Sequence, residues 1–276
     1  MVKDAVVAIV DLTDGADHAL AEAIDLIGGI RDLNTPKRPV AVKVGIFNHK
    51  SQAHTTVEVA GAITRVFNKP KKIFLVESDN YKGTGTERLE IWESLCDKRV
   101  AAFNLSEDKD TRIVEIASEK VPLSHVLFKP SVLVSTHILR GFDKGSVIKN
   151  LLGLVPDRRK ARFHKNLEIA LLDMFEAVGG IDLAVLDASY AYKGTGDNPH
   201  ARPEDTKNRT RTNLLVVGRD AVAVETVGAK LAGLDARKVK SINEAARRGV
   251  GVCDLSRIRI LGIPLDEAKK RIPERL

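Results

Sequence analysis

The pentapeptide Tyr-Lys-Gly-Thr-Gly occurs twice, at residues 81–85 and 192–196. Each copy follows a short apolar run that ends in an acid, Glu77 in the first case and Asp187 in the second. A strand feeding a glycine-rich loop with a lysine has the parts of an anion cradle. The glycines let backbone N–H groups approach a ligand and the lysine adds a point charge. Lys82, Gly83 and Gly85, with Tyr192, Lys193, Gly194 and Gly196, are therefore candidate ligand-binding residues. The spacing is neither that of a Walker loop nor that of a dinucleotide fingerprint. A tight structural turn with a solvated lysine would leave the same pattern.

His49, His54, His137, His164 and His200 fall in expected loops or at element ends. With acids at strand ends they have the types needed for an acid–base pair or a metal site, although the spacing is diagnostic of no metal class. His137, His164 and Asp187 are the candidate catalytic groups. A divalent metal, if bound, would draw on His54, His164 and Asp187. Lys149, Asn150, Arg158, Arg159, Lys160 and Arg162 make a basic cluster beside His164, which reads either as a clamp for a carboxylate or phosphate or as a solvated surface run. Lys43 lies within a strand-like run, where a lysine faces either solvent or a ligand cleft.

The elements that must position these groups alternate. Strands are expected at 5–10, 40–46, 73–77, 100–105, 131–137, 183–187, 214–218 and 258–261, with an edge strand at 112–117. Helices are expected at 16–27, 55–67, 87–95, 166–178, from 220 to Gly233, at 238–248 and from Pro264 onward. This alternation predicts an α/β fold with a largely parallel sheet flanked by helices. Polar residues 197–211 read as a long loop. The two pentapeptides also extend into a longer match. His54 and His164 are 110 residues apart, as are Glu58 and Glu168, and Glu77 and Asp187. Fixed-offset self-similarity predicts two related halves, roughly 1–120 and 121–276, within a single α/β unit. The two pentapeptide loops should then flank one crevice on equivalent strand ends.

The chain has 276 residues, enough to bury a sizeable core, and 29% are charged. The net charge of +7 favours anionic ligands. Aromatic residues make up only 4%, which leaves little for base stacking and disfavours nucleic acid as a partner. The two cysteines, Cys96 and Cys253, form no paired spacing, so neither a disulfide framework nor an iron–sulfur cluster is expected on this chain. No apolar run approaches a membrane span and the start carries no signal-peptide pattern, so a cytoplasmic location is expected.

Several segments, in order, resemble the uncharacterised domain of unknown function (DUF) family 362. They are Ser135-Thr-His137, Lys149-Asn-Leu-Leu-Gly-Leu-Val-Pro156, His164, the run ending in Asp187 with its Gly-x-Gly loop, and Val217-Gly-Arg-Asp-Ala-Val-Ala-Val-Glu225. Gly233 and Gly249-Val-Gly251 follow, and Lys43 with Thr55-Thr56 resembles the family's N-terminal pattern. The family usually has a lysine where Ser135 stands, a glycine where Ala188 stands and an aspartate where Glu225 stands. Many members carry an added ferredoxin module. Without a cysteine cluster this chain resembles the core domain alone, and the resemblance implies an α/β core in a redox or metal-linked setting. Two functions follow as expectations. One is an enzyme acting on a small phosphate or carboxylate in a crevice lined by Lys43, Lys149, Asn150 and the two glycine loops. The other is a non-catalytic ligand, metal or electron-transfer partner of an iron–sulfur protein.

Overall fold

The computed structural model describes residues 4–46, 53–141, 145–192 and 209–273. Its centre is one eight-stranded sheet in the order β10-β1-β9-β8-β7-β2-β3-β4. The strands are β1 (Ala5–Asp11), β2 (Val40–Lys43), β3 (Ile73–Glu77), β4 (Val100–Asn104), β7 (Val132–Ile138), β8 (Leu183–Tyr192), β9 (Arg209–Gly218) and β10 (Ile258–Gly262). Five neighbours, β8-β7-β2-β3-β4, pair in parallel; β9 opposes both β8 and β1, and β10 is parallel to β1. A separate antiparallel hairpin joins β5 (Thr111–Ile116) to β6 (Glu119–Ser124). The helices are α1 (Ala16–Leu26), α2 (Val57–Val66), α3 (Gly85–Leu89), α4 (Leu167–Ala177), α5 (Ala221–Leu231), α6 (Lys240–Arg248) and α7 (Leu265–Lys270). The expected α/β class with a largely parallel sheet is the fold observed.

The sheet is buried on both faces, which is why its central strands read as continuous apolar runs. Alternation within β2 sorts the layers. Val40 and Val42 pack with Ala60 and Ile63 of α2, whereas Ala41 belongs to the opposite layer with Leu167 and Leu171 of α4. The β2-α2-β3 and β7-α4-β8 units thus run outward from the adjacent parallel pair β2 and β7, with helices on opposite faces. Right-handed crossovers starting at neighbouring parallel strands and diverging require that arrangement. Their starts keep the 110-residue offset: Val57 and Leu167 begin the helices, Ile73 and Leu183 the second strands. The sheet does not divide near residue 120, because β1 lies between β9 and β10 and the β5–β6 hairpin straddles that point.

Three local differences from the expected elements have physical causes. The strand expected to stop at Asp187 continues to Tyr192, because β9 returns antiparallel and pairs it through Arg209. The edge strand near 112–117 is one arm of a hairpin turned by Ala117 and Ser118, both at positive φ. The helix expected over 87–95 is α3 followed by a 3₁₀ segment, Glu90–Leu95, that kinks at Trp92. Among the described residues, no helix is long and apolar enough to cross a membrane.

Candidate functional site

Parallel strands place their carboxyl ends on one edge of the sheet, where ligands of such folds gather. At this edge a pocket of about 570 Å³, its open mouth included, forms over β2, β3 and β7. Two 3₁₀ segments, Lys149–Leu154 and Lys160–Asn166, close its other side. Of the residues singled out in the sequence, Lys43, His137, Lys149, Asn150 and His164 all line this pocket, as does Tyr81. The structure adds Glu77, Arg88, Lys160, Asn80 and Gly153 to its walls.

Glu77 is the hub. Its carboxylate accepts from Lys43 Nζ at 2.8 Å and from the Ser78 N–H at 2.9 Å, and Arg88 lies 3.3 Å away. All three side chains are essentially buried. Burial pushes the Glu77 carboxyl up, but Arg88, Lys43 and Lys160 together outweigh it and hold its pKa below the ordinary carboxylate value. Lys43, at the end of a fully buried strand, gives all three N–H groups to acceptors: Glu77, the Asn150 Oδ1 at 3.0 Å and the Val44 carbonyl at 2.8 Å. It does not face bulk solvent. Arg88 ties α3 to the loops below by donating to the Ser78 and Ile46 carbonyls.

Asn150 holds the edge together. Its amide donates to the Lys43 carbonyl at 2.8 Å, the Thr136 carbonyl at 3.0 Å and Ser135 Oγ at 3.3 Å. It thereby joins β2, β7 and the first 3₁₀ segment. The following Gly153 is there for close approach. A Cβ on it would lie 2.4 Å from Lys43 Cε and 2.8 Å from Glu77 Oε1. Gly45 has a like role, since its Cβ would come within 2.6 Å of the His137 ring.

Two groups have protonation states set by these surroundings. The Lys160 ammonium bonds Ser78 Oγ, and among the described residues no carboxylate is within ion-pair distance of it. Burial first, then Arg88 and Lys43, overcome the attraction of Glu77 and bring its pKa down to about 7. His137 is held well below its usual pKa by burial and by Arg140, Lys149 and Lys43. Its Nδ1 accepts the Ile138 N–H at 2.8 Å. The ring is therefore neutral with its hydrogen on Nε2, a donor left for an occupant of the pocket.

The remaining candidates divide. In the first pentapeptide, the backbone donors are engaged within the protein: Lys82 N on Asn80 Oδ1, Gly83 N on the Asn80 carbonyl, Thr84 N on Glu87 and Gly85 N on Asp79. Thr84 and Glu87 form a capping box for α3. This loop is a turn and helix cap rather than an open cradle. Lys82 lies over the Tyr81 ring, 5.3 Å from its centroid, away from the pocket walls. In the second copy the backbone of Tyr192 ends β8, while Lys193, Gly194 and Gly196 lie outside the described residues, as do His49 and His200. The two copies differ in their relation to the strands: Tyr81 comes four residues after the end of β3 at Glu77, whereas Tyr192 is itself the last residue of β8.

Asp187 is buried and accepts from Thr56 N and Oγ1, both at 2.8 Å, and from Ser189 N and Oγ at 3.0 and 2.5 Å. It staples β8 to the start of α2 and is not a wall of the pocket. His54 donates through Nδ1 to the Thr55 carbonyl at 2.8 Å and stands edge-on to Trp92. Burial lowers its pKa. His164, by contrast, lines the pocket. His54, His164 and Asp187 are thus not gathered, and no group of three His, Cys, Asp or Glu side chains that could hold a metal ion occurs among the described residues.

In the sequence Glu77 is one of the strand-end acids that could join the histidines in an acid–base pair or metal site, and Lys160 is one residue of a basic run that reads as an anion clamp or a solvated surface, while Arg88 carries no such signal. Within that run Arg158 pairs with Asp79, and Arg162 with Glu119 and Asp157; only Lys160 turns inward. Its position before Phe163 and Leu167, which pack into the core, is a signal at three- and four-residue spacing that marks a buried side. Comparisons with curated proteins and with solved structures gave no match. A family model does match, over residues 40–230, from the first residue of β2 to α5, a span that contains Lys43, Glu77, Arg88, His137, Asn150 and Lys160. The chain belongs to the family described as domain of unknown function, DUF362.

Proposed function

We propose that this chain is an enzyme that binds a small anion, a phosphate or carboxylate, in the pocket at the carboxyl ends of β2, β3 and β7. One observation carries the reading. Two buried cations, Lys43 and Arg88, share a single buried carboxylate, Glu77, and a third buried basic group, Lys160, stands beside them without an ion-pair partner among the described residues, all at the wall of a pocket open to solvent. Buried positive charge in excess of its counter-charge is expensive unless something negative completes it. Lys149 adds to the field at the mouth, and the His137 Nε2–H supplies a directed donor.

The catalytic part of the reading rests on one group poised to exchange a proton near neutral pH and on one neutral hydrogen-bond donor. The Lys160 amine sits where its two protonation states are balanced, and the neutral His137 can hydrogen-bond a developing negative charge without giving up its proton. Calorimetric titration with inorganic phosphate and with a small dicarboxylate, at low ionic strength, tests it. Saturable binding that weakens roughly tenfold or more in Lys160→Met supports the site, since losing a charge-assisted hydrogen bond costs about 1.5–3 kcal/mol. No binding of either anion at millimolar concentration would remove the reading.

A further inference from the structure

We infer that Lys160 is a reactive amine that condenses with the carbonyl of its ligand, so that the substrate class is a small anion bearing an aldehyde or ketone. This deepens the anion reading above and rests on it. The argument begins with the contrast between the two buried lysines of the pocket. Lys43 has a carboxylate partner and all three of its hydrogens are engaged, so it has neither a lone pair nor freedom to react. Lys160 is also buried, yet among the described residues its amine contacts one hydroxyl, Ser78 Oγ, and no carboxylate. Ser78 itself does not depend on the lysine, because its hydroxyl also reaches the Gly153 carbonyl at 2.6 Å and the Val155 carbonyl at 2.8 Å.

A pure anion-binding role would favour a permanently charged arginine, or a lysine exposed enough to stay protonated. Here the surroundings do the opposite. Lys43 and Arg88 repel a charge on Lys160, and burial withdraws its hydration. Desolvation beside other cations is the general way a lysine is made nucleophilic at neutral pH. The anionic part of the ligand would meet Lys149, Arg88 and the His137 Nε2–H, leaving a neighbouring carbonyl against the amine. In the step itself the amine lone pair attacks the carbonyl carbon and a C–N bond forms. The carbonyl oxygen then leaves as water, taking both amine hydrogens. The imine takes one proton from solution to become the iminium, and hydrolysis reverses the sequence. No oxidant or metal is needed to balance it.

Reductive trapping tests the inference on the full chain. The protein is treated at pH 7.5 with sodium cyanoborohydride and either glyoxylate or pyridoxal 5′-phosphate, which pair the carbonyl with a carboxylate or a phosphate, and the modified peptides are mapped by mass spectrometry. The expected result is an adduct on Lys160 formed roughly tenfold or more faster than on exposed lysines such as Lys120 or Lys230. Inorganic phosphate should slow it, and Lys160→Arg, which keeps the charge, should abolish it while leaving the background labelling unchanged. Preference for one probe tells whether a carboxylate or a phosphate is the better anion. Equal labelling of all lysines, or an unmodified Lys160 with both probes, overturns the inference. If phosphate still binds by calorimetry in that case, the anion reading stands alone; if it does not, both fall.

Discussion

Replacing Lys160 by methionine should make the protein more stable and less able to bind an anion, with a gain that fades as pH rises. The magnitude follows from the pKa that the fold imposes. An ordinary lysine titrates near 10.5 and Lys160 near 7. Each tenfold change in a proton-binding constant is worth about 1.4 kcal/mol, so the buried ammonium opposes folding by at most about 5 kcal/mol. Water entering through the pocket mouth reduces this, and about 2–4 kcal/mol is the expected gain for an apolar side chain of similar length. Below pH 7 both folded and unfolded chains carry the proton, and the penalty is present in full. Between about pH 7 and 10.5 the unfolded chain holds more protons than the folded one, so wild-type stability rises with pH and the advantage of the mutant shrinks. Ser78 keeps its two carbonyl acceptors, so the substitution leaves no orphaned hydroxyl. Urea unfolding of both proteins at pH 6 and pH 9 measures the effect. A mutant less stable than wild type at pH 6, or a difference that does not change with pH, would refute the account of Lys160 as an unneutralised buried charge.

Removing the counter-charge should do the reverse. Glu77→Gln leaves Lys43 and Arg88 buried without their carboxylate and should cost about 3–5 kcal/mol at neutral pH, read as a lower urea midpoint with an unchanged slope. Because the folded-state pKa of Glu77 is depressed, the wild-type contribution is present above about pH 4.5 and is lost as pH falls below it; the two proteins should converge in acid. Gly153→Ala should lose about 1–3 kcal/mol, since the added methyl must displace Lys43 and Glu77 from a pair at 2.8 Å. An alanine variant with wild-type Tm would show that the 3₁₀ segment yields more easily than its packing suggests.

The fold was largely legible because its signals are local. β3 is bounded by Pro70 and its own acid, α1 by Gly28 and Gly29, and α2 by the Thr56 cap, whose hydroxyl accepts the Val59 N–H. What was hidden depended on partners distant in the chain. The run after Asp187, Ala188-Ser-Tyr-Ala-Tyr192, lacks the aliphatic residues of the strand before it, and β9, returning from Arg209, pairs it into the sheet. The first pentapeptide shows the same limit in chemistry. Its glycines and lysine fit an anion cradle, but the acceptors that occupy its donors, Asn80, Asp79 and Glu87, are equally plain in the sequence just before and after it. An Asn or Asp two to six residues before a glycine, and a Thr-x-x-Glu beyond it, mark a self-satisfied turn and cap.

The site was legible in part, and the part that was missed explains what the rest is for. Lys43, Lys149 and Asn150 read from the sequence as the lining of one crevice, with His137 and His164 as candidate catalytic groups, and one pocket is lined by all five. No spacing rule joins Lys43 to Glu77 or to Lys160, which come from different elements and meet only because parallel strands end on one edge. Once they meet, charge arithmetic separates scaffold from working group. Lys43 and Arg88 are held to Glu77 and to carbonyls, and Asn150 fastens Lys43 to the neighbouring strand, so these side chains cannot move without breaking several bonds. Lys160 is the cation that this rigid cluster leaves over. A fold that wanted only stability would have an apolar side chain there, as the methionine variant is expected to show. Retaining an ammonium that opposes folding makes sense where that group has chemistry to do.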